Sequence, residues 1–274
     1  MRVFRAAIGV LGELLVTAGV IVLLFIAWQT GYSVMIEGRA QTEVVQQLEE
    51  QLGQGDTAVL PELPEAPLVD TPAPTLDDGS VMAIIRIPKL GKGWARPVYE
   101  GISLPVLAKG PGRYPHSAMP GQVGNMAIAG HRNTHGHPFF DIDQLGVGDP
   151  IVIETRSSYV VYRVARWVIV SPTESDVVAP VPQKPSAKPT EAWLTLTTCH
   201  PKFSPTQRYI VFAKLDRVVP RKAGPPPEVR ALERFGPAEV ASDGVEVAGV
   251  DALGVDVDDA VAAVPFRRAA REAA

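Results

Sequence analysis

Three residues combine side-chain type and placement in a way suited to acyl transfer: Cys199, His131 and Arg208. Cys199 is the single cysteine of the 274-residue chain, so it cannot close an internal disulfide. It is therefore a small buried hydrophobe, an intermolecular partner or a reactive thiol. It ends the run WLTLTTC, which has the pattern of a strand stopped by His200-Pro201. A thiol at the rim of a sheet is open to substrate. Because a free thiol, with a reference pKa of about 8.5, is mostly protonated at neutral pH, a nucleophilic cysteine needs a base, a cation or donors beside it. His131 closes a second apolar strand, NMAIAGH, and two strand ends lying side by side would bring imidazole to thiol. Among His116, His131, His135, His137 and His200, only His131 directly ends a strand. His200 is adjacent to the thiol, but successive side chains on an extended chain point apart. Arg208 opens RYIVFAKL across the loop HPKFSPTQ. A hairpin there would set its fixed fork of donors beside Cys199, where a tetrahedral oxyanion needs one.

Taken singly, each residue has an ordinary structural explanation: a buried cysteine, a structural histidine, an arginine on a solvated strand edge. It is the coincidence of all three at strand ends that points to acyl transfer. Zinc is the rival chemistry, since His131, His135 and His137 with Cys199 or His200 offer enough nitrogen and sulfur ligands. The spacing H-x3-H-x-H falls on a loop containing Gly136 and Pro138, so the expectation is a site with no metal and no cofactor.

The elements that must position these residues begin at Val81, where short β-branched runs alternate with Gly, Pro, Asn and Asp turns. Strands are expected over 82–88, 96–100, 125–130, 150–154, 159–170, 193–198 and 208–216. A turn of helix is expected over 138–145, laying Phe139, Ile142 and Leu145 on the sheet. Seven or eight short strands fit an all-β domain, either a closed barrel or a sandwich, and periodicity does not choose between them.

Residues 6–28 are almost wholly apolar and long enough to cross a bilayer. Arg2 and Arg5 precede this stretch and Glu37 and Arg39 are the first charges after it, which orients the N-terminus to the cytoplasm and the remainder outside. Trp28 and Tyr32 fall where an interfacial aromatic belt would form. Glu13 is costly within a span, least so in its first third. A cleaved signal peptide would have a shorter apolar core and a small-residue cleavage site. In 37–53, Val44, Val45, Leu48 and Leu52 lie at helical spacing, predicting a short, largely solvated amphipathic helix, a stalk or a weak oligomer contact. Residues 56–80 carry Pro61, Pro64, Pro67, Pro72 and Pro74, predicting an extended spacer that holds the next domain away from the bilayer. After Val218 the composition predicts a disordered tail in which RALERF forms at most a brief helix. The chain thus divides into an anchor (1–32), a helix with linker (33–80), a catalytic domain (81–218) and a tail (219–274). A net charge of -4 supplies no basic field for nucleic acid.

The segments GNMAIAGHR, LTLTTCHP and QRYIVFAKL, in this order, resemble the histidine, TLxTC and arginine strands of sortases. With GPGRYP and FFDIDQLGVGDPIVIET they are most similar to class E sortases, over about 81–218. The resemblance implies a closed eight-stranded sortase-type β-barrel with short helices, and a cysteine transpeptidase with thiol-protease chemistry anchored in the cell membrane. Cys199 would attack the Thr–Gly carbonyl of a C-terminal sorting signal, LAxTG-like or LPxTG-like, on a secreted protein. The acyl group would pass to an amine of a peptidoglycan precursor or a pilin. His131 would act as acid and base and Arg208 would stabilise oxyanion or substrate. The reactive form would be a minor thiolate–imidazolium pair. Tyr114 is carried over for the signal preference and Thr198 for substrate positioning. Some sortases require calcium; Asp141 and Asp143 alone make no carboxylate cluster, so calcium independence is expected. Two other functions fit the residues without the resemblance: another thiol acyl-transferase such as an L,D-transpeptidase, whose His-Gly-Cys motif TTCHP lacks, and a non-catalytic exported module that would tolerate loss of the thiol.

Overall fold

The computed structural model describes residues 2–28, 32–55, 57–63, 75–91 and 93–233. Eight strands close into a barrel in the order β1-β2-β3-β4-β7-β8-β6-β5. They are β1 (Val81–Arg86), β2 (Ala95–Glu100), β3 (Gly112–Arg113), β4 (Gly124–Ala129), β5 (Pro150–Glu154), β6 (Ser158–Val170), β7 (Ala192–His200) and β8 (Gln207–Pro220). Each expected strand is present within a few residues, and closure resolves the choice between barrel and sandwich. Only β3 had no counterpart in the sequence reading, because two residues carry no period. It is nevertheless the element that joins β2, in parallel, to β4, in antiparallel. A Cβ on Gly112 would fall 2.1 Å from the Gly101 carbonyl oxygen, so only glycine fits this crossing.

Alternation along the strands separates two layers. Met82, Ile85, Met126, Ile128, Ile151, Ile153, Leu194, Leu196 and Val211 fill the barrel interior. Phe139, Ile142 and Leu145 join them from a 3-10 turn at Ile142–Gln144, as their spacing predicts. On the outer face, Ile210 and Phe212 pack under Val177 from the long β6–β7 connection. Arg113, buried in the wall, donates to both carboxylate oxygens of Glu100, at 2.8 and 2.7 Å.

Three expectations are corrected. The first concerns the helix expected at 37–53, which runs as α2 (Ser33–Gly53) and is not a solvated stalk. Val45 and Leu48 are buried against Leu60, Ile84 and Ala95, so its apolar stripe is covered by the barrel wall. The second concerns the proline-rich segment. Its start is already on the barrel, with Leu60 and Leu63 buried, and its end returns there at Leu76. A segment pinned at both ends to one body cannot set that body's distance from a membrane. Residues 64–74 lie outside the described residues. The third concerns the region after Val218, which stays ordered to Glu233. β8 continues to Pro220 and α4 (Pro227–Glu233) buries Val229 beside Val152, Tyr159 and Val161. Burial alone would raise the Glu228 carboxyl, but bonds to Arg217 and the charge of Arg163 hold it below the usual carboxylate range. Sequence composition missed this because the contact rests on one small patch, at Val229 with Val219, and on no sustained apolar stripe. Residues 234–274 lie outside the described residues.

The N-terminal helix, α1 (Arg2–Ala27), includes a 19-residue stretch, Ile8–Ile26, with mean hydropathy 2.4 and no buried residue. By length and composition it can cross a membrane. A short helix, α3 (Leu104–Lys109), has no counterpart among the expected elements; it carries Pro105 in its first turn and buries Val106.

Candidate active site

Register brings the three sequence-predicted residues to one edge of the barrel. Cys199 and Arg208 are direct partners in the antiparallel β7–β8 ladder, so their side chains leave the same face. β4 runs parallel to β7 with Ala129 opposite Thr197. The two chains remain joined beyond the ladder: Gly130 N donates to Thr197 O at 3.1 Å, and Thr198 Oγ1 donates to Gly130 O at 2.7 Å. Carried two residues on, this register sets His131 level with Cys199. Thiol, imidazole and guanidinium thus occupy three adjacent strand ends, all half-buried. Burial, then the neighbouring His135, depress the His131 pKa, and Glu37 partly offsets them. Arg208 donates through Nη1 to the carbonyls of Pro205 and Gln207, at 3.3 and 2.9 Å, which curls the guanidinium back over its own loop.

Tyr114 belongs to the same face. Its N–H donates to Ala127 O at 2.9 Å, extending the β3–β4 pairing, and its hydroxyl lies 3.1 Å from Thr197 Oγ1. An open cavity of about 340 Å³ starts at Tyr114 and is lined further by His116, Gln122, Asn125, Val178 and Pro180. Thr198, by contrast, faces the barrel side of β7 and is buried, with its hydroxyl committed to Gly130.

The sortase domain family is matched over residues 85–216. Sortase SrtE1 of Streptomyces coelicolor is 34% identical over 224 residues, 79% of this chain and 59% of that protein. Sortase SrtE2 of the same organism is 28% identical over 84% of this chain and 90% of its own length. Among solved structures, sortase E of Streptomyces avermitilis is 40% identical with a TM-score of 0.52, covering 57% of this chain and all of that one. Sortase E1 of Streptomyces coelicolor, solved with a tripeptide in its active site, is 40% identical with a TM-score of 0.51, over 55% and 97% of the two chains. The chain belongs to the sortase family.

What sequence reasoning missed in this sortase is the support around the three residues. Arg132, next to His131, is buried and works from the opposite side of the chain. Its Nη2 lies 2.9 Å from Asp143 Oδ2, its Nη1 donates to Cys199 O at 3.3 Å and to His200 Nδ1 at 3.0 Å, and its Nε donates to Phe140 O at 3.4 Å. One guanidinium therefore ties the backbone of Cys199 to the loop that follows His131. The signal was present in GHR, since alternation after the strand end turns Arg132 inward when His131 faces out. The same alternation sends His200 away from the thiol, toward Arg132 and Tyr209. The other histidines do not assemble a ligand set: among the described residues no group of three or more His, Cys, Asp or Glu is arranged to hold a metal ion. His135 alone approaches His131, with ring centroids 4.7 Å apart.

Proposed function

We propose that this sortase cleaves a C-terminal sorting signal between Thr and Gly and joins the new carboxyl end to an amine. The observation that carries this reading is the direct pairing of Cys199 with Arg208, with the strand end bearing His131 alongside. Thiolate Sγ of Cys199 attacks the threonine carbonyl carbon. Negative charge moves to the carbonyl oxygen, where guanidinium N–H groups of Arg208 donate. The His131 imidazolium gives its proton to the departing glycine nitrogen as the C–N bond breaks, leaving a thioester. The acceptor amine then attacks the thioester carbon, His131 takes up its proton, and the thiolate leaves.

The substrates in this reading are secreted proteins with LAxTG-like or LPxTG-like signals, and the acceptor is a peptidoglycan precursor or a pilin. The tripeptide in the active site of the Streptomyces coelicolor enzyme favours a peptide-binding role for the same surface here. Tyr114, at the mouth of the outer cavity, is the residue proposed to read the signal's second position. The role of Thr198 is narrower than direct contact with substrate: its hydroxyl holds the β4 end against β7, and so positions the wall on which substrate lies. Helix α1 anchors the chain in the cell membrane as a single pass, N-terminus inside and barrel outside. The net positive residues Arg2 and Arg5 before it favour that sense.

Incubating the full chain in detergent with an LAxTG peptide and an amine acceptor tests the reaction. Turnover by the wild type and a loss of at least about 10⁴-fold in Cys199→Ala is the expected result. Equal turnover by both proteins, or none by either over LAxTG and LPxTG peptides, would sink the reading. Running both peptides on Tyr114→Phe tests the signal-reading role, which an unchanged ratio of rates would remove.

A further inference from the structure

The His135 ring lies with its centroid 4.7 Å from that of His131, and what holds His135 comes from α2. We propose that Glu37 and His135 are positioning residues for His131, so that the helix following the apolar N-terminal segment completes the catalytic site. This rests on the reading of His131 as the acid and base of the transfer.

The contact is built from several independent interactions. Glu37 Oε1 lies 3.3 Å from His135 Nδ1, and Glu37 Oε2 accepts from Gly136 N at 3.1 Å. Gln41, one turn further along α2 and buried, donates through Nε2 to the His135 carbonyl at 2.9 Å. Between them the two backbones nearly touch: a Cβ on Gly136 would fall 2.8 Å from Gly38 N. His135, Gly136 and His137 have φ of 52°, 67° and 35°, three consecutive residues in the left-handed region. Such a run is unfavourable for non-glycine residues and persists only where its surroundings over-determine it. Here α2 supplies a carboxylate, an amide and a close backbone to that end. The outcome is a His135 ring fixed at 4.7 Å from the His131 ring and tilted 47° to it.

The same geometry has an electrostatic side. Charged and titratable groups reach the His131 region from α2 (Glu37), from its own loop (Arg132, His135, His137) and from the ends of β7 and β8 (Cys199, Arg208). Lys202 lies beyond the Phe140 ring, bridged to Asp141 and Asp143. Of these, His135 lowers the His131 pKa and Glu37 raises it, on top of the larger depression by burial. The two neighbours act with opposite sign, and that opposition separates their role from a merely structural one. Side chains of His135 and Glu37 are 39% and 37% exposed, so solvent screens the effect and the shifts are modest.

Titration of the His131 imidazole by NMR, in the isotope-labelled full chain in detergent, is the direct test. Glu37→Gln keeps the shape of the side chain and an acceptor for Gly136 N while removing the charge. It should lower the His131 midpoint, with an unchanged thermal midpoint. His135→Asn, a residue that tolerates the left-handed region, should raise the His131 midpoint. The acidic limb of the pH–rate profile should move with the midpoint in each variant. A His131 midpoint left in place by both substitutions, or moved in the same direction by both, would overturn the proposal. The titration is read without substrate, so it supports or overturns the positioning role whether or not the peptide-transfer assay succeeds.

Discussion

The hairpin carrying Cys199 and Arg208 and the loop carrying His131 arrive at the same rim by different means. In the hairpin, position is set by main-chain hydrogen bonding: β7 and β8 stay paired from Trp193 with Lys214 to His200 with Gln207, with no shift of register. A side chain there is placed by counting residues. On the other side the ladder stops at Ala129, and His131 is the first residue after the last main-chain bond to β7 at Gly130. Beyond it the loop closes on itself, with Phe139 N donating to His131 O at 3.1 Å, and no further main-chain bond to β7 follows; the loop is fixed to its surroundings by side chains: Arg132 from beneath, Phe139 against Gly130, and Glu37 and Gln41 from α2. The proposed nucleophile and oxyanion donor thus sit on a paired ladder, whereas the proposed acid and base depends largely on contacts that single substitutions can remove.

Three substitutions would break or sharpen that contrast. Arg208→Lys keeps the charge and the β8 backbone but loses the planar fork. Turnover should fall about 10² to 10³-fold, the scale for losing one oxyanion donor, with little change in thermal midpoint; a rate near wild type would mean the hairpin does not supply that donor. Arg132→Met fills the same space without the charge, leaving Asp143 with Lys202 alone and removing the Arg132 contact of His200. Breaking a buried pair typically costs about 3 to 5 kcal/mol, and the lower end applies because the Asp143 side chain is 40% exposed. The melting temperature should drop by roughly 6 to 12 °C, and kcat should fall further than the remaining folded fraction accounts for. Loss of stability without that extra fall in kcat would reduce Arg132 to a structural tie. Thr198→Val removes one buried hydroxyl bond between β7 and the end of β4 and should cost about 1 kcal/mol. Little change in turnover is expected, because main-chain pairing through Gly130 N remains; a large loss would show the ladder side to be less self-sufficient than its register implies.

The contrast also explains what could be taken from the sequence. Strand alternation and turn residues located seven of the eight strands, and with them the Cys199 and Arg208 pair, because both depend on local period and short loops. His131 was legible for the same reason, as the end of an apolar strand. Arg132, His135 and Glu37 were not assembled, since their contacts join residues up to 99 positions apart in the chain and no local pattern encodes that. Helix α2 shows the same limit. Its apolar stripe at Val45 and Leu48 was visible, but the surface that covers it, Ile84 and Ala95, belongs to the barrel. Whether a stripe is solvated or docked is decided by the partner, which the helix's own residues do not specify.

The docking of α2 also bounds the working height of the enzyme. From the end of α1 at Ala27 to the start of α2 at Ser33 is six residues, at most about 22 Å of chain. The further four to Glu37 add roughly 6 Å of helix rise. With α1 spanning the bilayer as proposed, the His135 loop is tethered within about 30 Å of the lipid headgroups, however long the proline-rich segment is made. Such an enzyme would act at the membrane surface, on signals still close to the site of their export, and not in the outer layers of the wall.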